Sequence, residues 1–513
     1  MTSLFSPIFP RQFGPYQAAH LLWRAGFGVT WDEAEKLARA GLNAAVDSLV
    51  DLPPAQDSGA PSNCTMPPGE NEREFQKRLA SLSEPERQKL RRDRELGEQE
   101  KLVELRFWWL NRMLTTRRPL EEKMTLFWHS HFASAFGDKI RSALAMWQQN
   151  ELFRRNALTG FEDLTQKVVR DPTMLVWLDN ANNVRGHANE NLARELMELF
   201  TLGVGNYTEK DVQESARALT GNHVDRERWS FVFNSGAHDD GPKTFLGKTG
   251  NFAAEDIVKI ICEQPACPRF ITRKLLEFFV YENPETELVE EASALFRQQD
   301  LHVGKFLGVL FQSQLFYSAK AQNSVVKSPV VLTLGALKSF RVPVPEKNVL
   351  IDALRLMGQD LFVPPEVNGW PGGMAWINSN MLLIRYNFAN FLLNGVSPDQ
   401  FKLFKKETGS AFKRREFVEA QRTGKPIDWR PREQLKQLGI ERDLVTGADV
   451  VDHYIRDFLG RPVSPNLREQ FLAFAETDAS GGKKSFSLTD SNFDERVRGL
   501  VHLIMSSPDY QLC

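Results

Sequence analysis

Residues 180–221, NANNVRGHANENLARELMELFTLGVGNYTEKDVQESARALTG, predict the fold class of this chain. Apolar residues between Leu192 and Phe200 recur at helical spacing, a glycine turn follows at 203–205, and Thr208 begins a second helix as its N-cap. Two helices joined by a glycine turn are typical of an α-helical body. The polar side chains of the same stretch are also the first candidates for a functional site.

Helical periodicity continues over most of the chain on both sides of this stretch. At Thr30 and Glu33 the sequence shows a capping box, which predicts a helix start there. Residues 229–248 differ, because RWSFVFN and KTFLGK alternate apolar and polar residues around a turn, SGAHDDGP. We therefore predict a mainly α fold, a large multi-helical body with a small β-hairpin insertion at about 229–248.

The domain organisation is predicted from shifts in composition. Residues 53–69, PPAQDSGAPSNCTMPPG, are rich in Pro, Gly and Ser and predict a linker or flexible loop. They separate an N-terminal helical segment, 1–52, from a central helical domain with the hairpin, 70–397. The remaining residues, 398–513, are predicted to form a C-terminal helical segment packed on the central domain.

Composition and charge exclude several classes of partner. The chain has 513 residues, of which 42% are hydrophobic and 25% are charged, and a formal net charge of -2. This balance favours an ordinary globular protein, with no nucleic-acid partner expected. No window reaches the roughly 18 apolar residues of a membrane span, and the N-terminus lacks a signal-peptide pattern. We expect a cytoplasmic protein, or a periplasmic one if the start is misannotated.

An ionic stripe follows the amide-rich loop. Glu190, Arg194 and Glu198 recur at i, i+4 and i+8 of the predicted helix, with Asn191 and Glu195 beside them. One interpretation is an ion-pair ladder on a surface helix, which contributes little to stability. The other is a partly buried cluster in which Arg194 holds carboxylates in position for a cation or a reacting group.

Histidines supply the second set of candidates. His129 and His131 stand two residues apart on a predicted helix, so their side chains point about 200° apart and share one metal ion poorly. One of them is expected in the core and the other in a site. His238, Asp239 and Asp240 follow at the tip of the predicted hairpin.

Ligand contacts are predicted at three further places. Asn180, Asn189 and Asn191 belong to the amide-rich loop, although amides also stabilise ordinary turns. Arg24 stands beside a glycine turn and a helix start, which can hold an anion or form a plain helix corner. Trp370 lies in a long Pro/Gly/Asn loop at 366–380, which either rims a pocket or caps the core.

These residues resemble the bacterial proteins grouped as domain-of-unknown-function family 1800. The resemblance covers nearly the whole chain and rests on the following segments: AAHLLWRAGFG, EKMTLFWHSHFA, PTMLVWLDN, NENLARELMELFTLGVGNYTEKDVQESARALTG, HDDGPKTFLGKTGNF, RFITRKLLEFFV, KSPVVLTLGAL, LMGQDLFVPPEVNGWPGG and SSPDYQ. It implies no settled activity. Family members are often exported and are often encoded beside a second family that looks like sulfatases and alkaline phosphatases.

Two functions follow from these predictions. The first is a divalent-metal-dependent hydrolase acting on a phosphate, sulfate or glycan substrate, with Mg, Mn or Ca favoured by the excess of carboxylates. Its catalytic residues would be His131, Glu190, Arg194 and Glu198, and its metal ligands His129, Glu195, His238, Asp239 and Asp240. The alternative is a non-catalytic helical scaffold that binds a sulfatase-like partner through residues 366–380.

Overall fold

The computed structural model describes residues 3–51, 59–65, 72–345, 347–394, 427–440, 443–444, 446–477, 482, 486 and 488–513. Helices dominate these residues, and the regular strands among them form two small antiparallel pairs. The predicted mainly α fold class is therefore confirmed.

The helices up to the ionic stripe include one long charged helix, α6. In chain order they are α1 (Pro15–Ala25), α2 (Trp31–Ala40), α3 (Leu42–Val50), α4 (Ser62–Thr65), α5 (Glu72–Ala80), α6 (Glu84–Thr115), α7 (Pro119–His131), α8 (Ala143–Arg155), α9 (Phe161–Val168), α10 (Pro172–Trp177) and α11 (Asn191–Glu195). A π-helix, Leu196–Thr201, continues directly from α11.

The helices after the ionic stripe are more uniform in length. They are α12 (Glu209–Ala218), α13 (Ala254–Glu263), α14 (Ala266–Phe279), α15 (Thr286–Gln298), α16 (Val303–Gln312), α17 (Pro329–Phe340), α18 (Lys347–Leu356), α19 (Ser379–Asn394), α20 (Pro431–Gln437), α21 (Gly447–Leu459), α22 (Pro465–Ala475) and α23 (Phe493–Met505). Short 3-10 turns lie at Pro10–Gln12, Asn180–Asn182, Ser235–Ala237, Gly373–Ile377 and Pro508–Gln511.

The chain divides into two compact units. The first unit comprises Met1–Ala45, Gln314–Gln359 and Gly372–Cys513, and the second comprises Val46–Ser313 and Asp360–Pro371. The predicted divisions near residues 52, 69 and 397 remain predictions. Of the predicted linker, residues 59–65 are described and contain α4, whereas 53–58 and 66–69 lie outside the described residues, as do 398–426 of the predicted C-terminal segment.

The predicted helix starts form through side-chain caps. Thr30 Oγ1 accepts a hydrogen bond from the Glu33 backbone N–H at 3.4 Å, and the Glu33 carboxylate accepts one from the Thr30 N–H at 2.9 Å. Thr208 and Asp211 exchange the same two bonds at the start of α12, at 3.2 and 2.9 Å. Because the first N–H groups of a helix lack partners within the helix, these capping boxes begin α2 and α12 where the sequence predicts.

The strands lie in two separate hairpins rather than in the single predicted one. β1 (Asn222–Asp225) pairs with β2 (Ser230–Phe233), and β3 (Lys243–Phe245) pairs with β4 (Lys248–Gly250). Residues 246 and 247 between β3 and β4 have φ of 44° and 79°. Two central residues with positive φ form the tight turn that suits the twist of a hairpin. KTFLGK, which predicted one strand, therefore contains the whole of β3, a two-residue turn and the first residue of β4.

The core of the first unit contains a close approach between α1 and α17. Gly28 has a φ of 104°, and a Cβ atom there would lie 2.6 Å from the Cα of Gly335. A Cβ atom at Gly335 would lie 2.5 Å from the ring of Trp23. Glycine at both positions lets these backbones meet, and this contact places the turn after α1 against the middle of α17.

Over the described ranges, none of the helices combines the length and the apolar character that crossing a membrane requires.

We predict that Gly335→Ala destabilises the protein by about 1–3 kcal/mol, because the added methyl group overlaps the Trp23 ring. The matched control is Gly97→Ala in α6, where nothing lies within 4 Å of the new Cβ. Removing a helical glycine from this open position is expected to stabilise by about 0.5–1 kcal/mol. Urea unfolding of both variants measures the difference. Equal stability of Gly335→Ala and wild type would contradict the described packing.

Candidate functional site

The amides of the loop before α11 bind backbone groups of the second unit. Asn183 Nδ2 donates to Asn180 Oδ1 at 3.0 Å and to the Ala216 carbonyl at 2.9 Å, and its Oδ1 accepts from the Asn189 N–H at 2.9 Å. Asn180 Nδ2 donates to the carbonyls of Leu219 and Asn222. Asn180 and Asn183 are fully buried. These amides hold the loop against the end of α12.

The ionic stripe lies at the surface of α11 and the π-helix. Arg194 donates to both carboxylate oxygens of Glu209 at 2.8 and 2.7 Å and to Glu190 at 3.2 Å. The side chains of Arg194 and Glu190 are 34% and 38% exposed. Glu198 accepts from the Tyr207 hydroxyl at 2.8 Å. This geometry is that of a partly exposed ion-pair group, and Glu209 and Tyr207 were not predicted as its members.

Asn191 and Glu195 stand beside this group. Asn191 Nδ2 donates to Asp179 Oδ2 at 3.2 Å. Burial raises the pKa of Glu195, the neighbouring Glu198 raises it further, and Arg194 opposes the shift. Two carboxylates one helical turn apart repel each other, which favours the protonated form of one of them.

His131 contacts the end of the π-helix. His131 Nε2 donates to the Phe200 carbonyl at 2.9 Å, while Lys274 Nζ donates to His131 Nδ1 at 3.3 Å and to the Leu199 carbonyl at 3.2 Å. Burial lowers the pKa of His131 well below its usual value, and Lys274 lowers it further. Burial also lowers the pKa of Lys274 to about 8. The hydrogen bonds described for His131 include none to the ionic stripe.

His129 belongs to a buried network around Glu122. Glu122 accepts from Arg154 Nε at 2.6 Å, from Trp109 Nε1 at 2.8 Å and from Arg112. Asn150 accepts from Arg154 at 2.6 Å, so its Nδ2 is the group that donates to His129 Nε2, at 3.0 Å. Burial lowers the pKa of His129 to about 3, with a further contribution from Arg154. Both carboxylate oxygens of Glu122 therefore accept hydrogen bonds from other members of this network.

The predicted hairpin-tip residues bind other protein groups. His238 Nδ1 lies 2.8 Å from the Thr220 carbonyl. Asp239 accepts two hydrogen bonds from Arg217, at 2.9 and 3.1 Å, and this contact lowers the pKa of Asp239 to about 2. Asp240 lies 3.8 Å from Arg185. Each predicted ligand of this tip therefore has a partner already.

The predicted metal ligands fall into separate groups. His129 lies in the Glu122 network, Glu195 on the ionic stripe, and His238 with its two aspartates beside α12. In the part of the chain that the structure describes, no three His, Cys, Asp or Glu side chains meet in a group that can hold a metal ion.

Trp370 packs against the end of α7. Its Nε1 donates to the Asp360 carbonyl at 3.2 Å, and its backbone N–H donates to Ser130 Oγ at 3.2 Å. A Cβ atom at Gly369 would lie 2.1 Å from the Ser130 carbonyl oxygen. Trp370 and Trp376 are 6% and 8% exposed. The tryptophans of the 366–380 loop are thus mostly buried side chains.

A different group of charged residues surrounds Arg24 in the first unit. Arg24 lies at the end of α1, Lys327 directly precedes Ser328, the N-cap of α17, and Arg385 lies on α19. All three side chains are at least 98% buried. We call these three residues, together with the aromatic residues Trp23 and Tyr510, the cationic cluster.

Backbone hydrogen bonds bring these distant stretches together. The Lys327 N–H donates to the Gln511 carbonyl at 2.8 Å, and the Cys513 N–H donates to the Val325 carbonyl at 2.9 Å. Arg385 Nη2 donates to the Lys327 carbonyl at 2.8 Å. Residues 325–327 and 511–513 therefore run beside each other, and the hydrogen bond of Arg385 links α19 to the first of these segments.

The Lys327 ammonium lies between two aromatic rings. Its Nζ is 3.8 Å from the ring centre of Trp23 and 4.1 Å from that of Tyr510. Among the described residues, nothing accepts a hydrogen bond from this Nζ. Burial lowers the pKa of Lys327 to about 7, and Arg461 and Arg385 lower it further, against an opposing interaction with Cys513. Cation–π contacts offset only part of the loss of hydration.

The two arginines of the cluster differ in how well they are satisfied. Arg24 donates to the Ala321 carbonyl at 2.5 Å and to a main-chain oxygen of Cys513 at 2.7 Å. Arg385 donates to the Lys327 carbonyl at 2.8 Å and to Gln511 Oε1 at 3.3 Å, but it pairs with no Asp or Glu side chain within the described ranges, and its Nε is buried without an acceptor there. Burial lowers the pKa of Arg385 to about 10. The Tyr510 hydroxyl and Trp23 Nε1 are also buried without described partners.

Sequence reasoning found only Arg24 of this cluster. Lys327 resembles an ordinary residue before a helix, and Arg385 is one cation within the helical segment MLLIRYNFANFLL. A single charge inside such an apolar segment indicates a buried arginine, and a buried arginine requires a partner. This signal could have identified Arg385 from the sequence.

We predict that Glu122→Ala destabilises the protein by about 3–5 kcal/mol, because it leaves Arg154 buried without its main carboxylate. Glu190→Ala is the control, since this carboxylate pairs with Arg194 at the surface and its loss should cost less than about 1 kcal/mol. Thermal unfolding of both variants is the measurement. A similar loss in the two variants would contradict a structural role for the Glu122 network.

We also predict that stability falls as the pH drops below about 6.5. His20, His129, His131 and His453 are buried with lowered pKa values, so the unfolded chain binds more protons than the folded one at acid pH. Each such histidine contributes about 1.4 kcal/mol per pH unit below 6.5. Urea unfolding at several pH values should show a shallower slope for His129→Gln. The exposed His187→Gln should keep the wild-type slope, and an unchanged slope in His129→Gln would count against this assignment.

Comparison with known proteins gives one match. Searches of curated proteins and of solved structures return none. A family model described as "Protein of unknown function (DUF1800)" matches residues 20–512, a range that contains both the ionic stripe and the cationic cluster. The match covers nearly the whole chain, and the chain therefore belongs to the DUF1800 family.

Proposed function

We propose that this protein binds a small anionic ligand, of the phosphate, sulfate or carboxylate class, at the cationic cluster. The observation that carries the proposal is that Lys327 and Arg385 are both buried, that neither pairs with an Asp or Glu side chain in the described part of the chain, and that Arg385 Nε has no acceptor there. Burying an unpaired cation costs several kcal/mol, and an anion that accepts hydrogen bonds from both groups would offset that cost.

The chemistry of the donors favours an oxyanion over a halide. Arg385 Nε and the Tyr510 hydroxyl are buried without an acceptor among the described residues, and Lys327 Nζ faces two aromatic rings. Burial raises the pKa of Tyr510, so its hydroxyl keeps its proton and can donate. Phosphate, sulfate and carboxylate groups offer several oxygens and can accept more than one of these bonds.

The surrounding protein groups supply hydrogen-bond acceptors for Arg24 but not for every donor of Lys327 and Arg385. Arg24 binds the Ala321 and Cys513 carbonyls, so residues near Cys513 supply its acceptors. The same residues leave the Lys327 ammonium facing two rings and the Arg385 Nε without an acceptor. Lys327 and Arg385 are therefore the cations of the cluster to which a further acceptor could bind.

This proposal keeps the anionic substrate class of the predicted hydrolase and assigns its recognition to protein cations. Hydrolysis of a phosphate, sulfate or glycan bond, with Mg, Mn or Ca as cofactor, remains a prediction. The scaffold role with a sulfatase-like partner also remains a prediction.

The test is ligand-dependent thermal stability. Inorganic phosphate and sulfate should raise the unfolding temperature of the wild type, relative to chloride at equal ionic strength, and a ligand at 100 times its Kd would add about 2.7 kcal/mol of stability. Lys327→Met should abolish this gain. Lys210→Met, at an exposed position, should keep it.

Lys327→Met without added anion separates binding from packing. If the cation is an unmatched charge, its replacement by an apolar side chain of similar length should leave stability unchanged or increase it. If the cation–π contacts of Lys327 with Trp23 and Tyr510 stabilise the fold, the variant should be less stable than the wild type. Absence of any phosphate or sulfate effect on the wild type would refute the proposed function.

A further inference from the structure

Lys327 differs from Lys243 and Lys274, two other lysines whose pKa is lowered by burial. Lys243 Nζ donates to the carbonyls of Asp239 and Gly241, and Lys274 Nζ donates to His131 Nδ1 and to the Leu199 carbonyl, so both amines have hydrogen-bond acceptors. Lys327 Nζ has two ring faces beside it and no hydrogen-bond acceptor in the described residues. Of these three amines, Lys327 Nζ is therefore the one without a hydrogen-bond acceptor in the described residues.

We propose that Lys327 forms an imine with the carbonyl group of a small anionic aldehyde or 2-oxo acid. This inference rests on the proposed function, because the anionic group of the same ligand would bind Arg385. It names the ligand class as a carbonyl compound that also carries a carboxylate or phosphate.

The surroundings favour the neutral amine, which is the nucleophile. Desolvation and the neighbouring Arg385 and Arg461 disfavour a further positive charge at Nζ. A lysine with a pKa of about 7 has about a thousandfold more neutral amine at pH 7 than one with a pKa of about 10.4. A desolvated lysine beside another cation is a known arrangement of amines that attack carbonyl carbons.

The reaction balances without a further reactant. The Nζ lone pair attacks the carbonyl carbon, and the carbonyl oxygen takes up a proton to give a carbinolamine. The C–O bond then breaks, the oxygen leaves as water with both amine protons, and a C=N bond remains. No oxidant or reductant is required.

The two aromatic rings can stabilise the protonated imine, which is the product, as well as the protonated amine. Protonation of the imine gives a cation at the same nitrogen, whose distances to the Trp23 and Tyr510 ring centres are 3.8 and 4.1 Å. Cation–π contacts stabilise such a charge where water is excluded. The Tyr510 hydroxyl, which has no described partner, can donate to the departing oxygen.

Reductive trapping tests the inference. The full-length protein is incubated with glyoxylate and cyanoborohydride at pH 7, and the modified lysines are located by peptide mass spectrometry. The expected result is modification of Lys327 ahead of Lys274 and of the exposed Lys210. Loss of this adduct is expected in Lys327→Met, and the wild-type map remains decisive if that variant does not fold.

The anion requirement is tested by a second probe. Propanal, which is neutral, should modify Lys327 more slowly than glyoxylate, and Arg385→Gln should reduce the preference for glyoxylate. Excess phosphate should slow the trapping of glyoxylate in the wild type. Equal modification by the two aldehydes would overturn the assignment of Arg385 as the anion-binding group.

The two proposals fail in different ways. Thermal stabilisation by phosphate without trapping at Lys327 would refute the imine and keep the anion site. Trapping at Lys274 or at surface lysines alone would also refute the imine. Absence of phosphate and sulfate binding would refute the proposed function itself, whatever the trapping shows.

Discussion

A charge buried in a protein must be matched by an opposite charge or by hydrogen bonds, and each of the two units meets this constraint differently. In the second unit, Glu122 lies between Arg112 and Arg154 and accepts a further bond from Trp109. In the first unit, Lys327 and Arg385 are also buried, but neither pairs with an Asp or Glu side chain among the described residues, and Lys327 interacts electrostatically with Cys513 instead. Acidic side chains therefore offset the cost of burying charge around Glu122 but not around Lys327 and Arg385.

Several polar side chains of residues 180–221 are bound by other groups of the protein. Asn180 and Asn183 are buried because their amides bind the carbonyls at the end of α12. Arg194 remains near solvent because Glu209 and Glu190 bind it there. A π-helix interrupts the regular geometry after α11, and such segments often occur at functional sites. Here its terminal carbonyls are bound by His131 and Lys274.

The cationic cluster depends on contacts between residues that are far apart in the chain. Gly28 and Gly335 allow α1 and α17 to approach, which brings Trp23 over the Lys327 ammonium. The backbone pairing of 325–327 with 511–513 adds Tyr510. Each of these contacts adds only one or two residues to the cluster, so the cluster forms only when all of these segments are folded together.

The sequence by itself determined the helical class, the capping boxes at Thr30 and Thr208, and the position of the strand region, because periodicity and capping act over a few neighbouring residues. It also singled out Arg24. Only the tertiary structure decided the strand pairing, the partners of His129 and His131, and the grouping of Lys327 with Arg385. These features depend on which distant groups meet and on how much water is excluded, and neither quantity is encoded in local spacing.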